Sequence, residues 1–252
     1  MSRKVWLSLA VVVLLSSAAL AGPPSPLDRP VTWIGPEPVV QLPIEDTTVP
    51  DLFLLIGRAS HVPLGIEPSQ HPLPPPPYED PAAPPTEVRF DDMTVRQAFD
   101  TLVKLDPRYG WRDLDGVAVL RPVRAWADPH HFLNRSIGTI KYDRTSPEDM
   151  LGRLVAWLYG EPPRRDALGV SQSGDSFPLE VKEGPILMAL VATAKADGDM
   201  YWRIGYGTGP GRTRLAFTLE FRGLDRRWGI EVGRPHIPPP WNGTTSGAGG
   251  RP

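Results

Sequence analysis

Apolar positions along this chain switch between a period of two and a period near 3.6, and the order of the switches recurs. The clearest stretch is 86–122, TEVRFDDMTVRQAFDTLVKLDPRYGWRDLDGVAVLRP. Alternation over 86–90 predicts a strand, and Val95, Ala98, Phe99, Leu102, Val103 and Leu105 fall on one helical stripe. Thr94, just before that stripe, and Gln97 in its first turn have the spacing of a capping box, in which each side chain accepts the other residue's backbone N–H. Asp106-Pro107 stops the helix, because proline has no N–H to continue it. Residues 109–114 and 117–121 then read as two strands joined by Asp115-Gly116, a pair that accepts positive φ at both positions of a tight turn.

The same logic covers the flanks. Residues 39–44 lean to strand, with Pro43 marking an edge or an end. Thr48-Val49-Pro50-Asp51 opens a helix whose Leu52, Phe53, Leu55, Ile56 and Ala59 share a face, and 62–67 is the next strand. Further on, 137–142 predicts a strand and Ser146-Pro147 opens a helix carrying Leu151, Leu154, Val155 and Leu158. Residues 177–181 are a strand, Gly184-Pro185 starts a helix that Gly198 ends, and 201–206, 214–221 and 227–232 are β-leaning.

Laying 88–112 over 179–203 needs no gap. Identities fall at Ala98/Ala189, Lys104/Lys195, Asp106/Asp197, Trp111/Trp202 and Arg112/Arg203, and Phe90/Val181, Val95/Ile186, Phe99/Leu190 and Val103/Ala194 stay in apolar phase. Preserved phase matters more than identity, since each copy must bury both a helix stripe and a strand face. The expectation is an α+β chain of two small βαββαββ lobes, each a short mixed sheet packed by two helices, covering 39–123 and 137–232 with a linker at 124–136.

Composition refines this outline. The 252 residues include 32 prolines and 24 glycines, clustered as linkers would be. Residues 22–38 read as an extended linker, 70–85 (QHPLPPPPYEDPAAPP) as a stiff polyproline-like insertion within the first lobe, and 233–252 as a disordered tail. Residues 1–21 have a basic start (Arg3, Lys4), an apolar run and a small-residue end at Ala19-Leu20-Ala21, the layout of a cleavable secretory signal; the alternative is a retained anchor. Loss of Arg3 and Lys4 takes the formal net charge from −2 to −4, so nothing favours nucleic acid or anionic membrane. The chain has no cysteine, which excludes disulfides, thiolate metal sites and a lipid anchor on cysteine. Export without disulfides suits a bacterial envelope, with a periplasmic or secreted protein and no membrane span after signal cleavage.

Candidate chemistry is sparse. His130-His131 beside Asp128 is the nearest approach to a metal cluster, but adjacent histidines on an extended chain face opposite ways, and a solvated linker is the expectation. His61, His71 and His236 are isolated. The glycine-rich run from Gly205 to Gly211 opens no helix, so it reads as a hairpin tip rather than a phosphate cradle. Asp91-Asp92 and Glu148-Asp149 sit at helix starts, where carboxylates complement the dipole. Trp111 and Trp202 read as core aromatics closing helix onto sheet, with a ligand-stacking surface as the alternative. Pro75-Pro76-Pro77-Tyr78 reads as spacer, and Asn134 and Asn242 head chance glycosylation patterns. No catalytic, cofactor or metal residue is assigned.

The order carried by LPIEDTTVPDLFLLIGRASHVPLGIEPS and then VRFDDMTVRQAFDTLVKLDPRYGWRDLDGVAVLRP resembles the secretin and TonB short N-terminal domain. The shared features are a strand ending in an acid-rich turn, a helix leading into a strand, and a second such unit closed by the Tyr109-Gly110-Trp111 hairpin. The resemblance covers 39–123 well and 137–220 weakly, and it departs from the family in its 70–85 insertion and in lacking a channel or barrel afterwards. It implies a non-enzymatic, periplasmic protein-interaction module, with an envelope protein of a secretion or TonB-dependent system as partner. It carries over no site residue and no cofactor. The alternative function is a cell-wall or glycan-binding protein using Trp111, Trp202 or Trp228.

Overall fold

The structure is a computed structural model that describes residues 25–33, 39–42, 48–69, 86–159, 176–198, 200–209, 212–221 and 227–232. The first half runs β1 (Val39–Leu42), α1 (Val49–Ala59), β2 (Leu64–Ile66), β3 (Thr86–Arg89), α2 (Val95–Leu105), β4 (Tyr109–Leu114) and β5 (Val117–Pro122). A short helix, α3 (Val123–Ala127), leads into β6 (Ser136–Ile137), β7 (Ile140–Thr145) and α4 (Pro147–Tyr159). The second half continues with β8 (Phe177–Val181), β9 (Gly184–Pro185), α5 (Ile186–Asp197), β10 (Met200–Gly209), β11 (Arg212–Phe221) and β12 (Arg227–Val232).

Local chemistry sets these boundaries. Thr94 Oγ1 accepts the Gln97 N–H at 3.3 Å while Gln97 Oε1 accepts the Thr94 N–H at 2.8 Å, which closes the expected capping box. Thr48 and Asp51 form the same box at α1. Gly198, at φ 80°, ends α5 in the left-handed region. Asp115 and Gly116 at φ 57° and 86° make the tight β4–β5 turn that their sequence anticipates.

Six strands form one mixed sheet in the order β12-β11-β10-β2-β5-β4. β2 lies parallel to both β5 and β10, with Gly65 opposite Val119 on one side and Trp202 on the other. The remaining strands form two-stranded antiparallel pairs, β1–β3, β7–β8 and β6–β9. Because side chains alternate across a strand, Leu64, Ile66, Ala118, Leu120 and Tyr201 face one core with Phe53 of α1 and Phe99 of α2. Val117, Val119, Trp202 and Ile204 face the other, with Leu154 and Leu158 of α4 and Leu187 and Leu190 of α5. Helices therefore cover both faces of the central parallel strands, which explains why β5 is buried along its whole length.

The α+β class holds, with two helices in each half. The halves do not keep separate sheets, however: the first contributes β2, β5 and β4, the second β10, β11 and β12, and the β2–β10 pairing joins them. Gly65 permits that junction, since a Cβ there would fall inside the Trp202 indole. Periodicity sets which face a residue buries but not which strand lies alongside, so this union was not readable from the pattern.

Three sequence expectations need correction. Residues 25–33, within the expected 22–38 linker, pack on the first core: Leu27 is fully buried, Trp33 stacks on Phe90 at 5.5 Å, and Val31 N–H donates to the Met93 carbonyl at 2.9 Å. Two apolar anchors suffice to dock a strap that has no periodicity of its own. The 124–136 linker is instead mostly α3 and a 3-10 turn at Phe132–Asn134, with Ala125 and Leu133 buried. Gly205 to Gly209 belong to β10 and pair with β11 to Gly209↔Arg212, so these glycines lie in a hairpin strand and not at its tip. The secretory signal, the 70–85 insertion with His71 and Pro75–Tyr78, the tail with His236 and Asn242, and the Trp228 side chain lie outside what is described. Among the described residues no helix is long and apolar enough to cross a membrane.

The spacing of the internal repeat persists in the fold. β3, α2 and β4 begin at 86, 95 and 109; β8, α5 and β10 begin at 177, 186 and 200, each displaced by 91 positions.

Candidate functional site

The chemistry-bearing cluster of this molecule is one that sequence reasoning did not assemble. Glu67 follows β2 directly, Arg121 lies in β5, Tyr206 in β10, and His131 in the connector before the 3-10 turn. The parallel alignment of β2 with β5 and β10 brings the first three to one end of the sheet, and α3 folds the connector back over them. Glu67 is 1% exposed and Arg121 is fully buried. Arg121 Nε donates to Glu67 Oε2 at 2.6 Å, His131 Nε2 meets Oε1 at 2.7 Å, and the Tyr206 hydroxyl donates to Oε1 at 2.5 Å.

The rest of the guanidinium is also engaged. Nη1 donates to Asn134 Oδ1 at 2.8 Å, and Nη2 donates to the Ala125 carbonyl at 3.2 Å and to His131 Nδ1 at 2.9 Å. Its carbon lies 4.7 Å from the centre of the Trp126 ring, and Trp126 Nε1 donates to the Gly110 carbonyl at 2.9 Å. His131 Nδ1 also receives the Leu133 N–H at 3.3 Å. Both neighbours of Nδ1 are obligate donors, so the ring proton is assigned to Nε2, where it donates to Glu67.

Burial alone would raise the Glu67 carboxyl's pKa and is the largest single influence, but the hydrogen bond from His131, the Arg121 charge and the Tyr206 hydroxyl together outweigh it. The carboxyl is therefore held below the usual glutamate value. Burial and the adjacent carboxylate push the Tyr206 phenol well above its ordinary range, so it stays a donor.

Chemically, this arrangement is saturated. Glu67 receives three donors, and neither the recess beside His61 nor the one beside Asp92 and Lys104 is lined by Glu67, Arg121, His131 or Tyr206. It ties β2, β5, β10 and the connector, and so joins one half to the other. Among the described residues two further ion pairs cross between the halves at the surface, Lys195–Asp115 at 2.6 Å and Arg203–Asp51 at 3.4 Å.

The residues weighed from sequence are dispersed. His131 is not in a solvated linker but 13% exposed inside the network, whereas His130 is exposed and its N–H is capped by Asp128 Oδ1 at 2.8 Å. His61 lies beside Arg58, Val62 and Tyr201 in a recess of about 10 Å³, room for roughly one water. Asp91 faces Arg89 at 4.0 Å, and the Glu148 carboxyl's pKa is raised chiefly by burial at the start of α4. Among the described residues no three His, Cys, Asp or Glu groups gather as a metal site would require.

The two repeated tryptophans differ in exposure. Trp202 is 1% exposed over Gly65. Trp111 is partly exposed, edge-on to Phe99 at 5.5 Å, and its Nε1 donates to Asp100 Oδ1 at 2.9 Å. One sequence signal does point to the network: Arg121 ends the apolar run Val-Ala-Val-Leu, where a buried charge needs a buried partner. No protein-family model, curated protein or solved structure matches the chain.

Proposed function

We propose that this chain is an exported, non-enzymatic protein-interaction module of the bacterial cell envelope, of the kind implied by its resemblance to the secretin and TonB short N-terminal domain. The observation that carries the reading is the open end of the six-stranded sheet. β4 pairs with β5 on one side, and among the described residues no strand pairs with it on the other. Such an edge offers backbone N–H and C=O groups to an extended segment and needs few particular side chains. The buried Glu67–Arg121 network supports the same reading, because its polar groups are consumed within the fold. The glycan-binding alternative has less to stand on: Trp202 is buried, and Trp111 is committed to Phe99 and Asp100.

The test is site-specific photo-crosslinking of the full chain in bacterial envelopes, with the photoreactive residue at Asp113 on β4, Glu87 on β3 or Lys141 on β7. One discrete protein adduct, reproducible from at least one position, is the expected result. Absence of any adduct from all three positions overturns the reading.

A further inference from the structure

We infer that the outer edge of β4 accepts an extended segment of a partner protein, running parallel to β4, with glycine opposite Trp111 and an acidic residue next to it opposite Arg112. The inference rests on the interaction reading above and names the site and the chemistry of its occupant.

In the second half the equivalent edge is filled. The displacement of 91 positions sets Gly110, Trp111 and Arg112 against Tyr201, Trp202 and Arg203. On β10 those three residues pair in parallel with Leu64, Gly65 and Ile66. The pairing depends on glycine, because the Trp202 indole occupies the space a Cβ at position 65 would take.

The geometry of the two edges corresponds. β10 runs parallel to β2, β2 parallel to β5, and β5 antiparallel to β4, so β4 and β10 run oppositely. α2 and α5 cover opposite faces of the sheet. A half-turn about an axis across the strands, with a shift along it, therefore carries the β11–β10 pair with α5 onto the β5–β4 pair with α2. The same operation carries β2, the neighbour of β10, to a position beside β4 and parallel to it. That position holds no described strand.

The edge is prepared for such a strand. The Tyr109↔Pro122 register, and the Val123 N–H bound to the Arg108 carbonyl at 2.9 Å, direct the backbone groups of Gly110 and Arg112 toward β5. Alternation turns those of Trp111 and Asp113 outward. Trp111 is already fixed by Asp100 and Phe99, with the Arg96 guanidinium 5.7 Å from its ring centre, so little ordering remains when a strand arrives. Arg112 is exposed; its guanidinium rests 4.3 Å from the centre of Trp126 and has no carboxylate partner among the described residues. An acidic side chain directly across the pair supplies that partner. Continuity with the β10–β2 junction thus gives both the direction and the small residue, and charge gives the third position.

The experiment titrates the isotopically labelled full chain with a capped pentapeptide, proline-leucine-glycine-glutamate-valine, and reads amide shifts. The expected result is a saturable shift centred on the Trp111 and Asp113 amides. Replacing the peptide's glycine by valine should weaken binding by about tenfold, the scale of overpacking against a fixed ring. Exchanging its glutamate for lysine should weaken it too, and Arg112→Glu should reverse that preference. Absence of shifts at millimolar peptide, shifts centred elsewhere, or indifference to valine for glycine would each overturn the inference. If crosslinking still yields an envelope partner from Glu87 or Lys141, the interaction reading survives on another surface; if all three positions fail, that reading falls by itself.

Discussion

Replacing Glu67 by glutamine should be among the most damaging single changes in this molecule. The substitution keeps the shape and removes the charge that three donors share, at 2.5–2.7 Å. Arg121, fully buried, then faces an amide whose oxygen can serve only some of those donors, while its NH₂ opposes the rest. Breaking a buried pair by removing one partner costs about 3–5 kcal/mol, and retention of one acceptor places glutamine near the lower end. For a chain of this size that is a fall in Tm of roughly 6–12 °C. The assay is urea and thermal unfolding of parent and variant, followed by circular dichroism. The double replacement Glu67→Leu with Arg121→Met should recover much of the loss, because it removes both charges together. Acid adds a second readout. The carboxyl is depressed when folded, so its contribution is complete above the ordinary glutamate pKa of 4.5 and is lost as pH falls through the lower folded value. The gap between parent and E67Q should be flat above about pH 5.5 and shrink below pH 4.5. A loss under about 1 kcal/mol at neutral pH, or a gap that widens in acid, would refute the reasoning.

Other perturbations test the fold around this network. Gly65→Ala should cost about 1–3 kcal/mol through overlap with Trp202, and Trp202→Leu in the same chain should relieve part of it; thermal melts of the single and double variants decide. Thr94→Ala removes the side-chain cap of α2 and should cost about 1 kcal/mol in urea unfolding. Gly116→Ala forces a Cβ onto a φ of 86° at an open turn and should cost on the order of 1 kcal/mol by the same assay. Lys195→Met breaks an ion pair whose side chains are 52% and 67% exposed, and should change stability by less than about 0.5 kcal/mol at physiological salt.

How much of this was legible depended on range. Capping at Thr94, the Asp115-Gly116 turn and the α2 stripe are local, and local pattern placed them where they stand. The in-phase copy at 179–203 was legible for the same reason, since both halves must solve the same burial problem. What escaped was lateral. Nothing in Leu64-Gly65-Ile66 says that β10 will lie beside it, because pairing of three residues is set by the shape of Trp202 and by everything else the sheet must accommodate. The network was hidden likewise: Glu67, Arg121, His131 and Tyr206 are up to 139 positions apart, and each taken singly reads as an ordinary surface or linker residue. Arg121 alone carried a warning, as a charge closing an apolar strand. The strap at 25–33 escapes the pattern because its two anchors, Leu27 and Trp33, stand among prolines without periodicity.

The two halves are united along β2 and β10. Nuclear Overhauser contacts in the isotopically labelled full chain measure that union without any substitution. Cross-strand amide and α-proton contacts linking Leu64, Gly65 and Ile66 to Tyr201, Trp202 and Arg203 in parallel register are the predicted result. A spectrum in which β2 contacts only β5, and β10 only β11, would contradict it.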